Sequence, residues 1–261
     1  MFRSLHIAAT GMAAQETQLD GVANNIANAN TTGFKRQRIE FQDLLYQTVR
    51  GPGTRTSEST RSPTGIQLGS GVRVSGTSRS FAQGSILMTN NPLDVAIEGD
   101  GFFVVQQPDG TQAYTRAGAL QKDAQGQLVT PEGNLIDPPI IVPQDATSVT
   151  IGADGTVSAL IDGQTAPADI GQLTVANFVN PAGLNALGKN LFMQTSASGE
   201  PQVGAPGTDG RGTLMQGALE RANVDVVEEM IGMISAQRAY EVNTKVVTTA
   251  DEMLRSATQM K

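Results

Sequence analysis

Apolar residues recur every seven positions at the N-terminal end of this chain, at Leu5, Met12, Leu19 and Ile26. A seven-residue repeat gives an α-helix one narrow apolar stripe, which is typical of helices that pair with other helices. An isolated helix with so narrow a stripe is only marginally stable in water. The pattern therefore predicts an N-terminal helix that depends on a partner helix.

A second helical pattern lies at the opposite end of the chain. Asp225, followed three residues later by Glu228, is typical of a capping pair at the start of a helix. The apolar stripe that follows consists of Val227, Met230, Ile231, Ile234, Val242, Val246, Ala250, Met253, Ala257 and Met260. We predict a helix from about Val226 nearly to the end of the chain, available to pair with the first one.

The pattern changes between the two helices. Residues 46–80 are rich in Gly, Ser, Thr and Arg, with little periodicity, which favours an extended arm. From Phe81 to about Glu220 the segments are strand-like, and the Asp-Gly pairs at 109–110 and 154–155 stand between such segments, as hairpin turns do. No alternation of strands and helices is visible, so the middle is predicted to be a mostly antiparallel β domain.

Together these patterns predict an α+β fold. Long N- and C-terminal helices pair as a coiled-coil domain, and an extended arm and a mostly antiparallel β middle domain lie between them in the sequence. The expected boundaries are 1–32 for the first helix, 33–80 for the basic arm, 81–222 for the β domain and 223–261 for the second helix.

The charge of the chain is unevenly distributed. The whole chain carries a net charge of −7, which argues against nucleic acid as a partner. Residues 33–79 carry +5 and the remainder −12. We expect the arm, with Arg50, Arg55 and Arg61, to contact acidic surfaces of neighbouring copies. A solvated loop with incidental arginines is the alternative.

The residue types exclude most enzyme chemistry. Cysteine is absent and His6 is the only histidine, so thiol catalysis and a His- or Cys-based metal cluster are excluded. The six Asp-Gly pairs lack the spacing of a calcium loop and indicate turns. We predict no catalytic, cofactor or metal site. A carboxylate pair for glycoside hydrolysis stays an open alternative, because any acidic β domain supplies candidates.

No run of 18 apolar residues exists, so no membrane-spanning helix is predicted. The first fifteen residues do not have the pattern of a cleavable secretory signal, since His6, Thr10 and Gly11 interrupt the apolar stretch. If the protein leaves the cytosol, another export route is expected.

Four asparagines occur in the stretch "ANNIANANTTGF", residues 23–34. The heptad places Asn24, Asn25 and Asn28 away from the apolar stripe, on a face that is almost free of charge. Amides donate and accept hydrogen bonds without the cost of burying charge. This face suits a helix surrounded by other helices in an assembly; a merely polar surface helix is the alternative.

We therefore expect the two terminal helices to make the assembly contacts. The residues expected to carry them are Leu5, Met12, Leu19, Asn24, Asn25, Ile26 and Asn28 in the first helix and Ile231, Ile234, Val242, Val246, Met253 and Leu254 in the second.

Several segments resemble one protein family. "ANNIANANTTGFKRQ" (23–37) and "MISAQRAYEVNTKVVTTADEML" (233–254) are similar to the paired terminal motifs of bacterial flagellar rod and hook proteins. "VAIEGDGFFVVQ" (95–106) and "AYTRAGALQKDAQGQLVT" (113–130) resemble that family's β-domain motifs. The segment 41–77 looks most like that of distal rod subunits. Val242 stands where the family often has alanine, which affects only local packing.

The resemblance implies a non-enzymatic structural subunit without a cofactor. Such a subunit would be exported through the flagellar type III apparatus without a cleaved signal and would polymerise helically across the periplasm. Its partners would be further copies of itself, the proximal rod proteins, the hook protein and the ring proteins of the outer membrane and peptidoglycan layer. In this family, an arm such as residues 46–65 is associated with a straight, stiff rod.

Two alternatives to a distal rod subunit stay open on sequence grounds. A hook or proximal-rod subunit belongs to the same class of protein, and the long arm argues against both. A secreted carbohydrate-active enzyme belongs to a different class, and polymerisation without hydrolytic activity would exclude it.

Overall fold

A computed structural model describes residues 2–53, 63–162 and 166–259. This part of the chain contains two α-helices, α1 (Phe2–Ala27) and α2 (Val226–Gln259). The predicted start of the second helix is confirmed, because the Asp225 carboxylate accepts hydrogen bonds from the backbone N–H groups of Val227 (2.9 Å) and Glu228 (3.3 Å). These bonds satisfy two of the N–H groups that a helix start leaves without a partner.

The strands of the described residues are short. They are β1 (Gln37–Asp43), β2 (Gln47–Arg50), β3 (Ile66–Leu68), β4 (Val72–Arg79), β5 (Ile86–Met88), β6 (Val95–Glu98), β7 (Phe102–Gln106), β8 (Gln112–Thr115), β9 (Gln121–Lys122), β10 (Leu128–Val129), β11 (Leu135–Ile136), β12 (Ala146–Ile151), β13 (Thr156–Ile161), β14 (Ala168–Gln172), β15 (Val175–Asn177), β16 (Asn185–Gly188), β17 (Leu191–Met193), β18 (Gln202–Gly204), β19 (Thr213–Gln216) and β20 (Ala218–Glu220).

The chain divides into two compact units. The helical unit consists of residues 1–27, 37–78 and 225–261, and the β unit consists of residues 28–36 and 79–224. Residues 33–36, which the sequence pattern assigned to the arm, thus belong to the β unit, whereas most of the arm belongs to the helical unit.

In the helical unit, α1 packs against α2 and against β1. Strand β1 pairs with β4, and β2 pairs with β3. Ile39 of β1 is buried, and a Cβ atom on Gly21 of α1 would lie 2.8 Å from its Cδ1 atom. A larger residue at position 21 would therefore displace the buried Ile39 side chain.

Helix α1 ends at Ala27, earlier than the sequence pattern predicted. The Thr31 N–H donates to the Asn28 carbonyl (3.0 Å) and the Thr31 hydroxyl to the Asn28 side chain (3.2 Å), which closes a turn instead of a further helical turn. The expectation that Gly33 terminates this helix is wrong. Gly33 has φ +70°, and a Cβ atom there would lie 2.6 Å from the Ala117 backbone nitrogen, so glycine is needed for close backbone packing.

The β unit confirms the prediction of a mostly antiparallel middle. In the described residues, its largest sheet has nine strands in the order β16-β17-β8-β7-β11-β10-β9, with β15 pairing with both β7 and β18. Strands β12, β13 and β14 form a second sheet, and β6 with β19 and β5 with β20 form two-stranded pairs. The predicted Asp-Gly hairpins are confirmed between β7 and β8 and between β12 and β13, with Gly110 and Gly155 at positive φ.

Two apolar clusters form the core of the β unit. The larger contains Val95, Ile97, Phe103, Leu128 and Val157 among its buried members. The smaller is aromatic. Its edge-to-face contacts join Phe81, Phe102, Phe178, Phe192 and Tyr114, with ring centroids 4.8–6.0 Å apart.

Candidate assembly surfaces

The face on which α2 packs against α1 consists of small and polar residues. Glu229, Ala236 and Ala250 are buried, and Asn243, at the same seven-residue spacing, is half-buried. A Cβ atom on Gly11 would lie 3.0 Å from the Asn243 amide nitrogen. Small side chains at this spacing allow the two helices to approach closely.

The contacts between the helices run in opposite chain directions. Asn25 lies opposite Glu229 (3.2 Å), and Met12 lies opposite Thr244 (3.7 Å from the hydroxyl to Sδ). Asn25, near the end of α1, thus contacts the start of α2, and the earlier residue Met12 contacts a later part of α2. The two helices are therefore antiparallel.

The large apolar residues of α2 do not form this packing face. Val227, Met230, Ile231, Ile234, Val242, Val246 and Met253 are all exposed. Val227 and Ile234 each lie two positions before a buried residue, which is about 200° around a helix of 3.6 residues per turn. The large apolar residues of the predicted stripe are therefore exposed and lie away from the packing face or at its edge, whereas Ala250, which the prediction also placed in the stripe, is buried on that face.

The exposure of this stripe is large. Val227 is 67%, Val242 63% and Ile231 60% exposed. A groove of about 370 Å³ lies along the same helix, between Ser4 of α1 and Val242, Val246 and Met253 of α2. Contiguous exposed apolar residues of this kind mark sites of interaction with another macromolecule.

The residues expected to form the α1 stripe have a different environment. Leu5, Met12, Leu19 and Ile26 are half-buried, and so is Leu254 of α2. Each of these side chains is partly covered within the helical unit and partly exposed. Each can therefore contact residues of its own unit and residues of a partner.

Asn25 is placed differently from the sequence expectation of an outward-facing amide. It is only 2% exposed, its side-chain oxygen accepts from the Gln37 N–H (3.0 Å) and its amide nitrogen donates to the Gln37 carbonyl (2.9 Å) and to Glu229. The amide thus joins the last turn of α1 to the start of β1 and to α2. Asn24 is exposed and Asn28 half-buried.

The paired strands β2 and β3 form a second apolar surface of the helical unit. Every residue of both strands is exposed, and Leu45, immediately before β2, is 90% exposed. Arg3 of α1 donates to the Leu68 carbonyl (2.8 Å) and so holds this ribbon. A two-stranded ribbon is marginally stable alone, so this ribbon is also suited to contact a partner.

The arginines of the predicted arm are only partly described. Arg50 is an exposed residue at the end of β2. Arg55 and Arg61 lie outside the described residues, so their contact with acidic surfaces stays a prediction.

A buried ionic cluster in the β unit was not predicted from the sequence. Lys35 is 1% exposed, and its ammonium group lies 2.7 Å from Oε1 of Glu220, while Nε of Arg116 lies 2.8 Å from Oε2. Arg116 also donates to the carbonyls of Gly99 (2.9 Å) and Gly101 (2.7 Å). Lys35, which counted toward the basic arm in the sequence, is therefore part of the interior.

The cluster shifts the pKa values of its members. Burial raises the pKa of Glu220, but the charges of Arg116 and Lys35 outweigh burial, and the pKa lies below its ordinary value. Burial lowers the pKa of Lys35, and the nearby Glu220 charge offsets only part of that shift. Lys35 and Glu220 lie 185 residues apart in the sequence, so no local sequence pattern could have indicated that they form an ion pair.

Within the described residues, no group of three or more His, Cys, Asp or Glu side chains is arranged to hold a metal ion. His6, the single histidine, is exposed. None of the described helices has the length and apolar composition needed to cross a membrane.

Three family models match successive parts of the chain. Residues 5–35 match the flagella basal body rod protein model, residues 96–159 the flagellar hook protein FlgE/F/G D1 domain and residues 215–260 the C-terminal model of the flagellar basal body rod FlgEFG proteins. The first of these ranges covers most of α1 and the last covers all of α2, the helices that carry the contacts described above.

The chain is also similar to complete proteins. It is 49% identical to the flagellar basal-body rod protein FlgG of Buchnera aphidicola subsp. Baizongia pistaciae, over 98% of each chain. It is 48% identical to FlgG of Borreliella burgdorferi, over 100% of this chain and 99% of the relative. It is 39% identical to FlgG of Bacillus subtilis, over 100% of both chains.

Proposed function

The chain belongs to the flagellar basal-body rod protein family and is a structural subunit of the distal rod, and we propose that its copies polymerise helically into a stiff tubular drive shaft. The shaft transmits torque from the motor to the hook. The protein is not an enzyme, so the open alternative of a carbohydrate-active enzyme is set aside by its relatives.

The exposed apolar stripe of α2 is the observation that supports polymerisation. A monomer would be more stable with its large apolar side chains packed inward. Helix α2 instead packs on α1 through Ala236, Asn243 and Ala250, and it leaves Ile231 and Val242 exposed. The exposed apolar side chains contribute to stability only when another surface buries them. Further copies of the chain are the proposed cover, because a helical polymer presents the same surface at every subunit.

The pairing of the two helices is proposed to be a coiled coil. Seven-residue spacing of Glu229, Ala236, Asn243 and Ala250 supports this geometry. The half-buried residues of α1 and the exposed stripe of α2 would then pack against coiled coils of neighbouring subunits and line a central channel.

The wider setting follows from the family. The rod lies in the flagellar basal body, and its subunits assemble with other rod and hook components. We propose that this subunit spans part of the periplasm between the proximal rod and the hook, inside the outer-membrane and peptidoglycan rings. We also propose export through the flagellar type III apparatus without a cleaved signal.

Polymerisation can be tested with purified full-length protein at high concentration. Sedimentation and negative-stain electron microscopy are expected to show straight tubes. Ile231→Asp is expected to stay soluble, because it places a charge where a neighbour would bury it. Gln237→Asp is the matched control, since it adds the same charge at an exposed polar position of α2.

The outcomes separate the parts of the proposal. Wild-type protein that forms no polymer under any condition would contradict polymerisation of this chain alone. Normal tubes from Ile231→Asp would show that the stripe is not the assembly surface. Curved tubes would favour a hook-type subunit over a distal rod subunit.

A further inference from the structure

Three separate segments of the β unit meet in one hydrogen-bonded cluster. They are residues 33–36, 80–84 and 220–223. The Lys35 ammonium group donates to the Ala82 carbonyl (2.8 Å) and to Oε1 of Glu220 (2.7 Å). The Gly84 N–H donates to the same carboxylate oxygen (2.9 Å). Lys35 and Glu220 are both buried, so these bonds are shielded from water.

The Asn223 side chain adds a second set of links among the same segments. Its oxygen accepts from the Arg36 N–H (2.7 Å), and its nitrogen donates to the carbonyls of Ser80 (2.8 Å) and Ala82 (3.0 Å). The Ser80 N–H in turn donates to the Arg36 carbonyl (2.9 Å). Each segment is therefore bonded directly to both of the others.

These segments are the places where the polypeptide passes from one unit to the other. Such passages occur after residues 27, 36, 78 and 224. Arg36, Ser80 and Asn223 each lie within two residues of a passage. The cluster therefore gathers three of the four connections where they begin or end in the β unit.

We propose that this cluster is a clasp that makes the three connecting segments open and close as one cooperative unit. Separate linkers would each fray with their own opening equilibrium. Here Asn223 and Glu220 are shared partners, so releasing one segment removes bonds from the other two. In a torque-transmitting subunit, the clasp stops one connection from extending alone; that consequence rests on the proposed function, whereas the clasp does not.

Hydrogen exchange of the unassembled full-length chain tests the clasp. Asn223→Ala is expected to speed exchange about tenfold in residues 33–36 and 80–84 as well as in 220–223, because the three hydrogen bonds that join Asn223 to the other two segments are lost. Exchange in the core strands β6 and β7 is expected to stay at the wild-type rate. Asn180→Ala is the matched control, since it removes a hydrogen bond to the Ala197 carbonyl (3.0 Å) elsewhere in the β unit.

Faster exchange confined to residues 220–223 would overturn the proposal, and so would a uniform increase that includes β6 and β7. If Asn223→Ala does not fold, Lys35→Met provides the same test, with faster exchange expected in 80–84 and 220–223. The measurement needs no polymer. A failed clasp therefore leaves the assembly proposal standing, and failure to polymerise leaves the clasp result intact.

Discussion

Replacing Glu220 by glutamine should strongly destabilise the β unit. One oxygen of the Glu220 carboxylate accepts from Lys35 and from the Gly84 N–H, and the other accepts from Arg116. Glutamine has one side-chain oxygen and one NH₂ group. Either Arg116, or Lys35 together with the Gly84 N–H, would then face an NH₂ donor in place of an acceptor oxygen. The buried cluster then holds two cations and no anion.

The magnitude follows from the burial of the partners. Removing one member of a buried ion pair costs about 3–5 kcal/mol, because the remaining charge is left uncompensated. For a unit of this size, 1 kcal/mol changes Tm by about 2–4 °C, so Tm should fall by roughly 6–20 °C. Urea denaturation followed by circular dichroism provides the corresponding free energy of unfolding.

Lys35→Met distinguishes charge imbalance from a simple loss of contacts. The wild-type cluster of Lys35, Arg116 and Glu220 has a charge of +1. Lys35→Met leaves a neutral Arg116–Glu220 pair, whereas Glu220→Gln leaves +2. Lys35→Met should therefore cost much less than Glu220→Gln, and the exposed control Glu132→Gln should leave the transition in place. Equal Tm values for Glu220→Gln and Glu132→Gln would refute this reasoning.

Three further outcomes are expected. Because the folded-state pKa of Glu220 lies below its ordinary value of 4.5, its stabilisation is complete above that pH and is lost as the pH falls through the lowered value; the stability difference between wild type and Glu220→Gln should therefore shrink on acidification, and a constant difference would contradict this. Ile26→Asp should block polymerisation and leave the β-unit transition unchanged, which sedimentation and calorimetry can compare; loss of that transition would place the helix in the core of the β unit. Reversing Arg55 and Arg61 to Glu should weaken assembly at low salt and change its salt dependence, and unchanged assembly would indicate a solvated loop.

Features that depend on neighbouring residues were predictable from the sequence. Asp225 caps α2 as expected, because a helix start is set by the side chain that precedes it. The Asp-Gly pairs of the β7–β8 and β12–β13 hairpins form turns, because glycine accepts the positive φ that these turns require. The end of α1 was less predictable, because Asn28 and Thr31 bond to each other within the expected helix.

Features that depend on distant residues were not predictable. Lys35 resembled its basic neighbours in the sequence, and only its contact with a carboxylate 185 positions later distinguishes it. Asn25 was expected on an outer face, but its amide binds the backbone of Gln37. The chain turns after α1 and brings Gln37 back beside the helix, and the heptad pattern of the helix contains no information about that turn.

The apolar stripe of α2 did not by itself indicate which face packs against α1, for a physical reason. Sequence periodicity assumes that large apolar residues point to the interior of the same chain, which holds for a self-sufficient domain. In α2 the interior positions are occupied by Ala236 and Ala250, and Ile231 and Val242 are exposed. The period of the pattern was correct, and the identity of the partner surface was not encoded in it.

The size of the exposed stripe indicates why polymer growth should be sensitive to single substitutions. The seven exposed Val, Ile and Met side chains named above as the stripe of α2 are each about half-exposed. Completing the burial of one contributes about 1 kcal/mol, roughly half the value for full burial, and seven contribute roughly 5–10 kcal/mol. Association costs about 4–15 kcal/mol in lost translational and rotational freedom. The contribution of the stripe is therefore of the same size as the cost of adding a subunit, and contacts of the β2–β3 ribbon and of the half-buried residues of α1 would add to it. A buried, unpaired charge costs several kcal/mol, which is comparable with the whole contribution of the stripe and would stop growth without unfolding the subunit.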